Sequence, residues 1–183
     1  GGADVLIDPS NPNIVYATLW QARQGPWENG AFNGPGSGMF KSTDGGATWR
    51  QLTSGLPTFE TDRLGRIGIG IAPSRPSRLF AVVEARNSGL FRSDDAGETW
   101  TRVNSDPRVL ARPSDATDVR VHPTNPDIVI VPTIVTWKST DGGRTFTAIR
   151  GAPGGDDYQR AWFNPSNPDI IAMTSDQGAV ITL

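Results

Sequence analysis

The chain contains no cysteine, one histidine and two methionines in 183 residues. Without thiols there is neither a disulfide framework nor a thiolate metal site, and the redox compartment leaves no mark in the sequence. Positive charge is also not in excess. Lysine and arginine number 17 against 19 aspartates and glutamates, a net charge of −2, so the basic footprint that a phosphate backbone requires is missing and nucleic acid is excluded as a partner. Long apolar runs are absent too. "IVYATLW" and "DIVIV" are strand-sized, well short of the roughly 20 residues of a membrane helix, and the expectation is no membrane span. The opening "GGADVLIDP" lacks the charged and apolar regions of a signal peptide. "SDDAG" and "GGDD" lack the spaced oxygens of a calcium loop. The glycines of "NGPGSG" lead into a strand rather than a helix and do not make a phosphate cradle. No cofactor and no metal site are expected.

What the chain has in abundance is repetition. "KSTDGGATW" at 41–49 returns as "RSDDAGETW" at 92–100 and "KSTDGGRTF" at 138–146, and Ser42, Ser93 and Ser139 stand 51 and 46 residues apart. A second phrase keeps step with the first: "DPSNPN" at 8–13, "APSRPS" at 72–77, "HPTNPD" at 122–127 and "NPSNPD" at 164–169. Two prolines three residues apart forbid a central strand and pre-set a tight turn, and each copy is flanked by β-prone runs. His122 occupies the slot of Asp8, Ala72 and Asn164 in this turn, which excludes a histidine-based catalytic triad as well as a multi-histidine metal site.

A third β-prone run leads into each longer phrase ("GMFKS", "GLFRS", "VTWKS") and a fourth follows it ("TWRQL", "TWTRV", "TFTAI"). Each unit is therefore a meander of four short strands, and no stretch has helical periodicity. Four-stranded units at this period predict an all-β fold, a β-propeller of four-stranded antiparallel blades. The blades are expected at about 1–53, 54–103 and 104–150, with an incomplete fourth at 151–183. A blade short of one strand exposes an unpaired edge. The expectation is that the remainder of a larger propeller, or another chain, completes it.

Within S-x-D-[GA]-G-x-T-[WF], the carboxylates of Asp44, Asp95 and Asp141 can accept from turn amides, and Gly46, Gly97 and Gly143 supply positive φ. Ser42, Ser93 and Ser139 can lock the same turn, and Trp49, Trp100 and Phe146 carry a large ring into the space between sheets. All twelve are read as structural. The phrase resembles the Asp-box, or BNR, repeat of sialidases, tandem-propeller xyloglucanases and sortilin-type receptor propellers. Over nearly its whole length the chain resembles bacterial proteins described as glycosyl hydrolase with BNR repeats, or sortilin-like. That resemblance implies an exported protein, extracellular or periplasmic.

In a propeller the two fixed phrases share one face, and the loops of variable length share the other, where function belongs. The first of these, "WQARQGPWENGAFNGPGSG", holds Trp20, Arg23, Trp27, Glu28 and Phe32. Tryptophan with arginine marks a binding hot spot, and an exposed indole is a platform for a sugar ring. Alternatively, Trp27 and Phe32 fold the loop back on its blade. The loops before the next innermost strands bring Arg66, then Arg112 and Asp115, then Asp157, Tyr158 and Arg160, converging as an acidic and arginine-bearing funnel. Glycoside hydrolysis needs two carboxylates and an aromatic floor, and Asp115 with Asp157 is the best pair. The reading that follows is a propeller that binds a carbohydrate or protein ligand through its loop face. The alternative is a glycoside hydrolase, xyloglucanase-like or sialidase-like, to whose cleft this chain contributes. A structural assembly subunit is the third possibility.

Overall fold

The computed structural model of the chain describes residues 1–25, 30–151 and 156–182. Its strands fall into four antiparallel meanders. The first sheet comprises β1 (Gly2–Asp8), β2 (Asn11–Leu19), β3 (Gly38–Ser42) and β4 (Arg50–Leu52). A single helical turn, α1 (Phe59–Asp62), precedes the second sheet of β5 (Ile67–Ile71), β6 (Leu79–Val83), β7 (Gly89–Ser93) and β8 (Thr101–Asn104). The third contains β9 (Arg120–Val121), β10 (Val129–Pro132), β11 (Thr136–Ser139) and β12 (Thr147–Arg150). The fourth has three strands, β13 (Arg160–Phe163), β14 (Ile171–Ser175) and β15 (Gly178–Ile181). The first strands of neighbouring sheets touch, β1 on β5, β5 on β9 and β9 on β13. The sheets therefore radiate from a shared axis as propeller blades, the last of them incomplete.

Strand alternation builds the core between blades. From β6, Leu79, Ala81 and Val83 pack toward the first sheet with Tyr16, Met39 and Leu52. Phe80 and Val82 of the same strand pack the other way, against Val129 and Val131 of β10. Ile130 turns to the fourth sheet and meets Phe163, Ile171 and Met173. A strand covered on both faces needs a continuous apolar run, which is what "LFAVV" supplies. The glycines of "IGIGI" answer a different need. A Cβ on Gly68 would sit 1.6 Å from the Thr117 carbonyl oxygen, so the close approach of β5 to the backbone leading into β9 requires a residue without one.

Each long phrase closes on itself in the same way. In the second copy the Ser93 hydroxyl donates to Asp95 (2.7 Å) and accepts from the Gly97 N–H (2.9 Å), while Asp95 accepts from the N–H (2.9 Å) and hydroxyl (2.6 Å) of Thr99. The Trp100 indole N–H donates to the Gly97 carbonyl at 3.0 Å. The first and third copies repeat these bonds through Ser42, Asp44 and Thr48, and through Ser139, Asp141 and Thr145. Hydrogen bonds hold all three carboxyls down to about 2. The Thr48 and Thr99 hydroxyls give the largest effect at Asp44 and Asp95, and at Asp141 desolvation, which pushes upward, is outweighed by Thr145 and Ser139. In the proline turns, His122 Nδ1 accepts from the N–H groups of Thr124 and Asn125 (3.2 Å each), as Asp8 Oδ1 does from Ser10 and Asn11. The histidine is a turn cap.

The rings of the long phrases do not all end in a core. Trp100 is buried against the first sheet and Phe146 packs against the second, but Trp49 is 43% exposed. Trp100 and Phe146 reach the blade before their own, and among the described residues no blade precedes the first. On the same flank Val5, Ile7 and Leu19 are exposed, and on the opposite flank Trp162 and Ile181 are.

Candidate functional site

The residues just before β5, β9 and β13 converge at the loop end of the axis because each leads into an innermost strand. They border a cleft of about 450 Å³ shared by Trp20, Phe32, Arg66, Arg112, Asp115 and Asp157. The loop after β2 folds on itself through a small bridge between Arg23 and Ala31, paired at 2.8 Å in both directions. This fold delivers Phe32 to Trp20. Their rings stack at 6.3 Å and 22°, and the Trp20 indole N–H donates to the Phe32 carbonyl at 2.7 Å. Arg66 completes the platform, its guanidinium 5.3 Å from the Trp20 ring centroid while Nη1 donates to the carbonyls of Ser114 (2.9 Å) and Asp115 (3.0 Å). A cation over an indole, tied to a neighbouring loop, holds the ring in place.

Facing the platform, one guanidinium gathers both candidate carboxylates. Arg112 Nη1 donates to Asp157 Oδ1 at 2.7 Å and Nη2 lies 3.0 Å from Asp115 Oδ2. Asp157 first, then Asp115, pushes the arginine further toward its charged form. Arg112 and Asp157 both adopt left-handed backbone, with φ of 59° and 51°, a conformation that non-glycine residues adopt at a cost of order 1 kcal/mol. Deeper on the axis, the Asp118 carboxylate is buried and accepts from the Ala161 N–H (2.9 Å), Arg120 (2.7 Å) and Arg160 (3.2 Å). It borders a small polar cavity of about 140 Å³ that Arg66 and Asp115 also reach.

The structure distributes the sequence-predicted residues unevenly. Trp20, Arg66, Arg112, Asp115 and Asp157 meet in the cleft, and Arg160 lies below it beside Asp118. Arg23 is exposed and joins the cleft only through the backbone of its loop. Trp27 and Glu28 fall outside the described residues. Tyr158 is a correction. Expected to present its ring to a ligand, it is fully buried with Ile130, Phe163 and Met173, because the residue after the left-handed Asp157 turns into the interblade core. A residue the sequence did not flag is Glu84, at the loop end of β6. Its Oε2 accepts from the Arg66 N–H at 3.0 Å. Desolvation raises its carboxyl above the ordinary 4.5, against the Arg66 hydrogen bond and charge and with a smaller push from Asp115. Gln159 and Asp176 also line the cleft, joined at 2.8 Å. Among the described residues no cluster of three or more metal-ligating side chains occurs, and no helix is long and apolar enough to cross a membrane.

Comparison with known proteins places this geometry in context. A profile of the BNR/Asp-box repeat matches residues 91–102. A probable oligoxyloglucan-reducing end-specific xyloglucanase of Neosartorya fischeri is 31% identical over 84% of this chain and 18% of its own length. The xyloglucanase Xgh74A of Acetivibrio thermocellus is 35% identical over 85% of this chain and 20% of its own. Among solved structures, the GH74 enzyme of Niastella koreensis superimposes with a TM-score of 0.69 at 16% identity, covering 97% of this chain and 27% of that one. The chain thus spans about a fifth of the length of the curated relatives it matches.

Proposed function

Starting from a chain that belongs to the BNR/Asp-box β-propellers, we propose that it contributes one wall of the substrate cleft of a glycoside hydrolase acting on a β-glucan of the xyloglucan type. The observation that carries this reading is the arrangement around Arg112. A single guanidinium holds Asp115 and Asp157 side by side, opposite an aromatic platform of Trp20 and Phe32. The two carboxylates are separated by no more than the width of that guanidinium and two hydrogen bonds, an upper bound that is compatible with the spacing of a hydrolytic pair.

In this reading the sugar lies along the edge of the Trp20–Phe32 pair, and its scissile oxygen meets the carboxylate oxygens that Arg112 does not hold, Asp115 Oδ1 and Asp157 Oδ2. One carboxyl protonates the leaving oxygen, and the other takes a proton from the attacking water. Arg112 fixes their spacing and Arg66 fixes the platform. The relatives' described activities favour this role over a scaffold that only binds, and they support a carbohydrate ligand over a protein one. An extracellular site of action suits a polysaccharide substrate. The uncovered apolar flanks at Val5 and Ile7 and at Trp162 and Ile181 fit further blades of a larger ring.

The test is product release from xyloglucan and its oligosaccharides by the wild-type chain beside Asp157→Asn and Asp115→Asn. Loss of a catalytic carboxylate should lower kcat by a factor on the order of a thousand while ligand binding persists. Saccharide binding without turnover would leave a carbohydrate-binding propeller. Neither binding nor turnover from a folded chain would overturn the reading.

A further inference from the structure

A second depression adjoins the cleft on the loop face. Arg112 and Ser114 line the first, whereas Pro113 between them lines the second, a groove of about 500 Å³. The two are separated by one ridge of backbone. Arg86 and Arg102 supply the charge of the groove, Asn87, Ser88 and Ser105 its neutral hydrogen-bonding groups, and no carboxylate lines it. Two acids of the adjoining loops are already engaged. Asp62 accepts from the N–H (3.1 Å) and side-chain amide (2.8 Å) of Asn87, and Asp106 pairs with Arg108 at 2.6 Å.

The two arginines differ from those that the fold has already paired. Arg50, Arg78, Arg92, Arg112, Arg120 and Arg160 each form an ion pair with a carboxylate. Among the described residues, the Arg86 side chain has no hydrogen bond or ion pair, and Arg102 has one long bond of 3.4 Å to the Asn87 carbonyl. Two guanidiniums without a carboxylate partner thus face one concavity. The planar fork of a guanidinium matches a carboxylate or sulfate bidentately, which a point charge does not.

We propose that this groove is a subsite for the anionic group of a saccharide, a carboxylate or sulfate carried on the chain whose neighbouring rings occupy the aspartate cleft. The proposal rests on the carbohydrate reading above and refines it: the preferred glycan is acidic. Arg86 and Arg102 take the charge, and Ser105 lines the same groove with a hydroxyl for the sugar.

Titration calorimetry of the full chain tests this with a xyloglucan oligosaccharide that carries a uronic acid and with its neutral counterpart. The acidic sugar should bind about tenfold more tightly, with a preference that shrinks as salt is raised and disappears in the Arg86→Gln, Arg102→Gln pair. Should that pair unfold, Arg86→Gln alone removes an exposed group without partners and should still lower the preference several-fold. Equal affinity for the two sugars would overturn the subsite. Inorganic sulfate binding as tightly as the acidic sugar would overturn the saccharide assignment, since the site would then take free anions. Binding of the acidic sugar without cleavage would remove the hydrolase reading and keep the subsite. Cleavage of neutral glucan with no acidic preference would do the reverse.

Discussion

Arg112 and Asp157 come from loops before two different blades, meet at 2.7 Å, and both hold left-handed backbone at the point of contact. Two non-glycine residues in that region, joined to each other, mean that the ion pair fixes side chains whose backbones are already committed. The geometry that presents Asp157 to the cleft is thus stored in the fold rather than assembled by a ligand.

That relationship predicts a difference between two substitutions. Arg112→Ala loses the pair and keeps the unfavourable φ, whereas Arg112→Gly loses the pair and relieves it. The glycine variant should therefore be the more stable of the two by about 1 kcal/mol, measured by chemical denaturation. On the proposed hydrolase reading both should lose turnover relative to wild type, because Asp115 and Asp157 no longer share an anchor. Equal stability of the two variants would show that the backbone at Arg112 carries no strain.

The long repeated phrase makes a second prediction. Ser93 is buried and its hydroxyl serves three partners, donating to Asp95 and accepting from the N–H groups of Asp95 and Gly97. In Ser93→Ala the Gly97 N–H is left without its acceptor, which costs about 1–3 kcal/mol and should lower Tm by several degrees in scanning calorimetry. The same turn sets an acid limit. The Asp95 carboxyl lies at about 2 against an ordinary 3.8, principally through the Thr99 hydroxyl. A depressed carboxyl contributes stability that is present above the ordinary value and lost as pH falls toward about 2. Asp95→Asn should consequently flatten the loss of Tm across that interval, and an unchanged acid profile would count against the turn as its source.

The repeats made the blades legible because turn chemistry is local. Two prolines three apart and a serine, aspartate and glycine at fixed offsets act within a few residues of one another, so their spacing alone predicts strand, turn, strand. The convergence of Arg66, Asp115 and Asp157 was legible for a related reason, since counting back from each proline turn aligns the starts of the innermost strands. What escaped the sequence depends on where the chain passes relative to a neighbour. Tyr158 directly follows a left-handed residue, and one such turn sends its ring into the core instead of the cleft. Trp49 has the same phrase as Trp100 but no blade to receive it among the described residues. Glu84 sits in no repeated motif, and only the pairing of β5 with β6 sets it beside Arg66.

Glu84 supports a third prediction, on pH. Its N–H donates to the Arg66 carbonyl at 2.8 Å, its own carbonyl accepts from Gly65 at 2.8 Å, and its carboxylate caps the Arg66 N–H. These bonds extend the ladder ahead of the start of β5 and hold the residue whose guanidinium covers Trp20, which makes Glu84 a positioning residue. Because burial raises its carboxyl above 4.5, the folded chain binds a proton there more readily than the unfolded chain does. Stability from this group is therefore full below the ordinary value and declines as pH rises through the raised one. Glu84→Gln keeps an oxygen to accept from Arg66 and has no charge to bury. Its Tm relative to wild type should rise between pH 4 and neutrality, with saccharide affinity retained, whereas Glu84→Ala should loosen Arg66 and weaken binding at every pH. Parallel Tm profiles for Glu84→Gln and wild type would mean that the buried carboxyl does not titrate with folding. Retained affinity in Glu84→Ala would mean that Arg66 is positioned by Ser114 and Asp115 alone.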